Sequence, residues 1–204
     1  MRYLFLFIPL LFFQVSIAQA AFELGADFSY NKTVFGQERN NKQTNRTYSG
    51  SIGYYMSALT VLEFNYSYTD TITQQNDEIS LDLGISITSL KNEVNREVFG
   101  LGLRQFFAHR NARLRPSLSL GYAKQFISDQ TFYNFQDSFG NTASTSSPVS
   151  KRREDSLFGS AGLQFRFSQT LAFNASINTV FKAFEFNRAG DNLRYTFGIR
   201  WIIL

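Results

Sequence analysis

Apolar and polar residues alternate one by one along most of the chain beyond residue 20. Phe22, Leu24, Ala26, Phe28 and Tyr30 interleave with Glu23, Gly25, Asp27, Ser29 and Asn31. A strand turns successive side chains to opposite faces, so this segment has one apolar and one polar face. The same period marks segments 22–34, 47–55, 59–71, 79–88, 96–107, 114–126, 156–167, 171–181 and 193–203. In the seventh, Leu157, Ala161, Leu163, Phe165 and Phe167 oppose Ser160, Gly162, Gln164 and Arg166. In the last, Leu193, Tyr195, Phe197, Ile199 and Trp201 oppose Arg194, Thr196, Gly198 and Arg200.

Most of these segments reach the roughly 9–11 residues that a tilted membrane strand needs. The N-terminus adds an export signal. Arg2 supplies the positive start, residues 3–15 are apolar apart from Pro9 and Gln14, and Ala18-Gln19-Ala20 is a small-x-small site. This predicts a signal peptide over residues 1–20, cleaved after Ala20, and one mature domain over 21–204. Strands with an apolar exterior and a polar interior, behind such a signal, imply an all-β, antiparallel up-and-down transmembrane β-barrel in the outer membrane of a Gram-negative cell envelope.

The segment count is odd, whereas bacterial single-chain barrels use even numbers. With 79–88 assigned to a long surface hairpin, eight strands remain. Short turns then fall at Ser57-Ala58, 109–113 and 168–170, and long outer loops at 36–46, 72–95, 127–155 and 182–192. Eight is the expectation. The alternative is ten strands, with 79–88 and the weaker stretch 131–137 both crossing. Residues 138–150 (SFGNTASTSSPVS) are small, polar and non-periodic and read as a mobile loop tip.

Composition narrows the picture. The 23 Phe and 10 Tyr are too many for a disordered or linker chain. The chain has no Cys, so its stability must come from backbone hydrogen bonds and lipid. With a single His besides, no metal or other cofactor is expected. The formal charge of +4 is spread out. It suits contact with anionic outer-membrane lipid and lipopolysaccharide, and nucleic acid is not an expected partner.

Three stretches resemble the small outer-membrane β-barrel proteins, the OmpW/OmpA-like group often called porin-family outer membrane proteins. They are Ala18-Gln19-Ala20, RLRPSLSLGY over 113–122, and LRYTFGIRW over 193–201. The resemblance implies a periplasmic turn at 109–113 and insertion by the barrel-assembly machinery. One departure is Leu204, which falls on the inward phase where such chains end on an outward aromatic; Trp201 and Ile203 keep the outward phase.

The phase of alternation assigns Glu23, Asp27 and Glu63 to the lumen together with Arg104, Arg115, Arg166, Arg194 and Arg200. In a narrow interior these charges should pair into a network that plugs the barrel. The alternative is an anion-preferring passage lined by the excess arginines. Tyr48, Tyr66, Tyr68, Tyr122 and Phe126 on the outer side, and Tyr54, Phe167 and Trp201 on the inner side, are expected as an interfacial girdle. His109 lies in an expected turn beside Arg110 and Asn111, away from any serine placed for catalysis. Phe132-Tyr133-Asn134-Phe135 reads either as an exposed contact site or as a strand extension, and Lys151-Arg152-Arg153 as a solvated loop base. The functional expectation is a monomeric, non-enzymatic, porin-like or structural barrel with a narrow or plugged lumen. A surface-loop adhesion or interaction protein is the alternative, and a lipid-modifying enzyme stands third.

Overall fold

The computed structural model describes residues 22–36, 39–81, 84–183, 185 and 190–203. The expected signal peptide, its cleavage site, Leu204 and part of the 182–192 connection lie outside these residues. The strands are β1 (Phe22–Phe35), β2 (Asn41–Tyr55), β3 (Thr60–Gln75), β4 (Ile79–Ser80), β5 (Ile85–Phe106), β6 (Leu114–Asp137), β7 (Thr142–Ser146), β8 (Ser150–Arg166), β9 (Leu171–Lys182) and β10 (Arg194–Ile203).

Eight of them close a ring in the order β1-β2-β3-β5-β6-β8-β9-β10, every neighbour antiparallel. The seam pairs Phe22 with Ile203 and continues in register to Phe28 with Phe197. β4 and β7 pair outside the ring, on β5 and β6, so the ten-strand alternative does not hold. Segment 79–88 alternates, yet it is no single strand. The chain reverses at Gly84, whose φ of 73° favours glycine, and Leu81 N donates to Ile85 O at 2.8 Å.

The outer connections expected over 72–95 and 127–155 are largely strand. β5 and β6 stay paired from Phe106–Ser117 out to Ile85–Asp137, with one irregularity between Ile87 and Ser89. A ladder is a property of the backbone and needs no apolar face to continue. Polar side chains support it there: Asn92 Nδ2 donates to Asp129 Oδ1 at 2.7 Å and to Thr131 Oγ1 at 3.0 Å. The stretch expected as a mobile tip contains β7, whose residues pair with Phe132–Gln136. Tyr133 and Phe135 stack at 6.2 Å, and Lys91 lies over the Phe132 ring at 5.9 Å, so this aromatic run is a strand extension. The β6–β7 turn is held by Asp137, whose Oδ1 accepts from Phe139 N at 2.9 Å and Asn141 N at 2.8 Å.

At the opposite end the connections are short. Ser57 Oγ accepts from Leu59 N and Thr60 N; Ser168 Oγ accepts from Thr170 N and Leu171 N. Serine is a frequent turn residue because its hydroxyl supplies such local acceptors. The long-loop end is therefore the outer one in a barrel of this type, and the end with both chain termini of the ring is periplasmic.

Outward side chains form an apolar surface that includes Leu118, Leu120, Phe173, Phe197 and Ile199, all exposed. A contiguous apolar surface of this kind suits lipid, not water. The interior has two apolar layers. Tyr55, Val61 and Phe106 pack near the periplasmic mouth. Val98, Ala123, Phe158 and Val180 pack further out. Phe158 fits because Gly102 and Gly121 are paired across β5 and β6 beneath its ring. A Cβ at Gly102 would lie 2.6 Å from Phe158 Cζ, and one at Gly121 would lie 2.6 Å from Gly102 Cα.

Gly121→Val should cost about 1–3 kcal/mol by overpacking, seen as a lower urea midpoint for unfolding from lipid vesicles. Hydrogen bonds from the Asn141 side chain and backbone hold the Asp137 carboxyl below its ordinary range. A depressed carboxyl stabilises the turn above its unfolded value and loses that effect as pH falls through the folded one. The Phe139 and Asn141 amide resonances should therefore stay in place down to the usual carboxylate range and move only below it.

Candidate functional site

Strand alternation brings the lumenal charges onto one surface, and the stagger of the ring decides which of them meet. Glu23 is the first inward residue of β1. Arg104 reaches it from β5 and Arg200 from β10. Arg104 Nη1 lies 2.8 Å from Glu23 Oε1, and Arg104 Nε lies 2.7 Å from Glu63 Oε2. Arg200 Nε lies 3.5 Å from Glu23 Oε1, and Arg200 Nη2 lies 2.8 Å from Asp27 Oδ2. The result is one chain, Glu63–Arg104–Glu23–Arg200–Asp27. Glu23 Oε2 also accepts from Tyr55 Oη at 2.7 Å and from Gln164 Nε2 at 3.4 Å. Gly25 leaves the space that the Arg200 guanidinium fills, since a Cβ there would lie 2.7 Å from Cζ.

Arg115 extends this layer with no carboxylate within ion-pair distance among the described residues. It is fully buried. Its Nη1 donates to Tyr55 Oη at 3.1 Å and Gln164 Oε1 at 3.2 Å, and its guanidinium lies 3.7 Å from the Phe106 ring centroid. Tyr55 and Phe106 are themselves stacked, 6.3 Å apart and 8° from parallel. Cation–π contact and hydrogen bonds together compensate part of the desolvation of this charge. At the mouth below, Arg166 donates to Arg110 O and to Gln169 O, the latter at 2.6 Å, and Arg110 lies 5.2 Å from the Tyr55 ring. Arg166 is thus outside the ion-pair chain. The periplasmic half of the lumen is filled by these side chains.

Arg194 is the sequence-assigned charge that the structure sets apart. It lies in the outer half, where Nη1 donates to Thr69 Oγ1 at 2.8 Å and Thr47 Oγ1 at 3.2 Å. Nearby, Asn178 Nδ2 donates to Thr196 Oγ1 at 2.6 Å and Ser176 Oγ at 3.1 Å. Between Arg194 and the charged layer lies a cavity of about 100 Å³ whose walls include Asp27, Thr47, Glu63, Arg104, Arg194 and Arg200.

The aromatic positions divide. Tyr48, Tyr54, Tyr122, Phe126, Phe167 and Trp201 are exposed on the outer surface. Tyr66 and Tyr68 are half-buried there, Tyr66 against Phe99 at 4.9 Å and Tyr68 Oη donating to Asn95 Oδ1 at 2.9 Å. His109 is exposed, and its Nδ1 accepts from Asn111 N at 3.4 Å; no serine or carboxylate bonds to it among the described residues. Of the Lys151–Arg153 group, Arg152 pairs with Glu154 at 3.2 Å and Arg153 lies 5.5 Å from the Phe126 ring.

Sequence reasoning passed over Tyr55, Phe106, Phe158 and Arg96 as lumenal residues. Tyr55 shares the inward phase of Ser51 and Gly53, and Phe106 that of Arg104, so the phase alone would have found them. Attention to polar inward residues hid them. A lumen this narrow must also be filled, and aromatic rings do that.

The sequence matches the family described as outer membrane protein beta-barrel domain over residues 5–199. No curated protein matches it. The fold is similar to the N-terminal β-barrel domain of Pseudomonas aeruginosa OprF, at 18% identity and a TM-score of 0.55, over 91% of this chain and 100% of that one. It is similar also to the outer membrane protein OprG of Pseudomonas aeruginosa, at 12% identity and a TM-score of 0.52, over 90% of this chain and 96% of that one.

Arg104 bridges two buried carboxylates, so its removal should be costly. Arg104→Met should lower stability by about 3–5 kcal/mol, because Glu23 and Glu63 lose their shared counter-charge. The measurement is equilibrium urea unfolding in lipid vesicles; a change below 1 kcal/mol would mean that water already compensates these carboxylates.

Proposed function

Because this chain belongs to the outer membrane protein beta-barrel domain family, we propose that it is a non-enzymatic outer-membrane barrel, porin-like in architecture, whose lumen is plugged at its periplasmic end. The observation that carries this reading is the layer built by Glu23, Tyr55, Arg104, Phe106, Arg115 and Gln164, all buried in the lumen. An eight-strand interior is only wide enough for side chains to fill. A plug of paired charges rigidifies such a barrel and closes it to all but small solutes. The proposal includes export by a signal peptide cleaved after Ala20, insertion by the barrel-assembly machinery, and a monomer surrounded by outer-membrane lipid and lipopolysaccharide.

A second reading has its own support. Ile79, Leu81 and Ile85 are exposed on the β4–β5 hairpin, and Phe139 at the β6–β7 turn is 88% exposed. Apolar groups raised beyond the ring suit a surface-interaction role. Deleting residues 138–149 should then abolish cell attachment while leaving the heat-modifiable gel mobility of the folded barrel unchanged.

The plug is tested by single-channel conductance of the refolded protein in a planar bilayer, with heat-modifiable mobility as the check on folding. The expected result is a folded barrel that is silent or opens rarely, and more frequent openings in Arg104→Ser. Frequent, uniform openings of the unmodified protein would overturn the plug and favour an open passage.

A further inference from the structure

Arg104 and Arg200 each hold carboxylates, but the arginines of the outer lumen do not. Among the described residues, no carboxylate lies within ion-pair distance of Arg194 or Arg96. Arg194 is bonded there only to the hydroxyls of Thr47 and Thr69, which also bond each other at 3.0 Å. Arg96 is paired with Thr69 across the β3–β5 ladder, so its side chain leaves the sheet on the same face as the hydroxyl that Arg194 holds. The Nε of Arg96 is buried and has no hydrogen-bond partner. Glu154, which acts on Arg96 from β8, is itself paired with Arg152.

Two like charges close together in the lumen repel one another, and Arg96 Nε is a buried donor that no described acceptor fills. Among the described residues, Thr47, Ser176, Asn178 and Thr196 around Arg194 are neutral. The cavity beside Arg194 measures about 100 Å³. That is room for a few waters or one small oxyanion. Guanidinium groups present forked donors that match such oxyanions.

We propose that the outer half of the lumen is a binding site for a small free oxyanion, a phosphate or a simple carboxylate, held by Arg194 with Thr47, Asn178 and Thr196 on the cavity wall and drawn in by the neighbouring charge of Arg96. The anion enters from the outer face. Asp27 and Glu63 wall the inner end of the cavity, and their charge, although paired with Arg200 and Arg104, opposes deeper passage. The site binds whether or not the periplasmic plug ever opens, so it stands or falls apart from the conductance result.

The test is NMR of the arginine Nε–Hε resonances of the full chain, folded in phosphate-free detergent micelles and separately in phospholipid nanodiscs. Sodium phosphate and sodium acetate are titrated, with sodium chloride at matched ionic strength as reference. The expected result is a saturable shift of Arg194 and Arg96, in micelles and nanodiscs alike, with Arg110 and Arg166 at the periplasmic mouth unmoved. Loss of a charge-assisted pair weakens binding roughly tenfold or more, so the Arg96 midpoint should rise by that factor in Arg194→Gln. Arg194→Lys, which keeps the charge without the fork, should fall between the two, and serves if Arg194→Gln loses its heat-modifiable mobility. No saturable shift with either anion would overturn the proposal. So would equal shifts with chloride, an unchanged midpoint in the variants, or a shift present only with phospholipid and before any anion is added.

Discussion

The constraint on which everything else depends is that lipid offers a backbone no hydrogen-bond partner. Each N–H and C=O in the apolar layer must be satisfied within the protein, and strands achieve this only when the sheet has no edge. The β1–β10 seam is therefore as structural as any core. Seven residue pairs from Phe22–Ile203 to Phe28–Phe197 remove the edges that both ends of the chain would otherwise expose. In the apolar layer the ladder takes the place of disulfides, of which this chain has none.

Closure with eight strands fixes the width of the lumen, and the width sets the chemistry inside. Little water fits in so narrow a space, so inward charges need compensation. The periplasmic half meets this demand with Arg104 between Glu23 and Glu63, and Arg200 between Glu23 and Asp27. Apolar layers share the same space: Phe106 beneath the Arg115 guanidinium, and Phe158 above the Gly102–Gly121 gap. The outer half departs from this balance. Arg194 has the hydroxyls of Thr47 and Thr69 where Arg104 and Arg200 have carboxylates.

Beyond the apolar band the constraint relaxes, and the architecture changes with it. β5 and β6 continue as a two-stranded ribbon, widened by β4 and β7 at its flanks. The edges of this ribbon are open to water, which can satisfy them. Its side chains are mixed, and its turns are held by local acceptors such as Asp137. Asn41, at the start of β2, accepts from Asn76 N at 2.9 Å and so ties the β1–β2 and β3–β4 connections together.

The sequence by itself determined the class and the inside–outside sorting. Period-2 alternation is a local property, so Leu118, Leu120 and Tyr122 against Ser117, Ser119 and Gly121 can be read without knowing any neighbour. The phase likewise placed Glu23, Arg104 and Arg200 on one face. Alternation alone would misread 79–88, where it is real but Gly84 reverses the chain, although the even strand count already assigned that segment to a surface hairpin. It gives no sign of the strand at 142–146, which forms without any apolar period because its partner β6 supplies the ladder. Only the tertiary structure decided which inward residues meet. Glu23 and Arg104 are 81 positions apart, and their contact depends on the register around the closed ring. That register also left Arg194 facing Thr47 and Thr69 in place of an acid. A strand's own residues state which way a side chain points; the stagger between strands, a collective property of closure, states what it finds there.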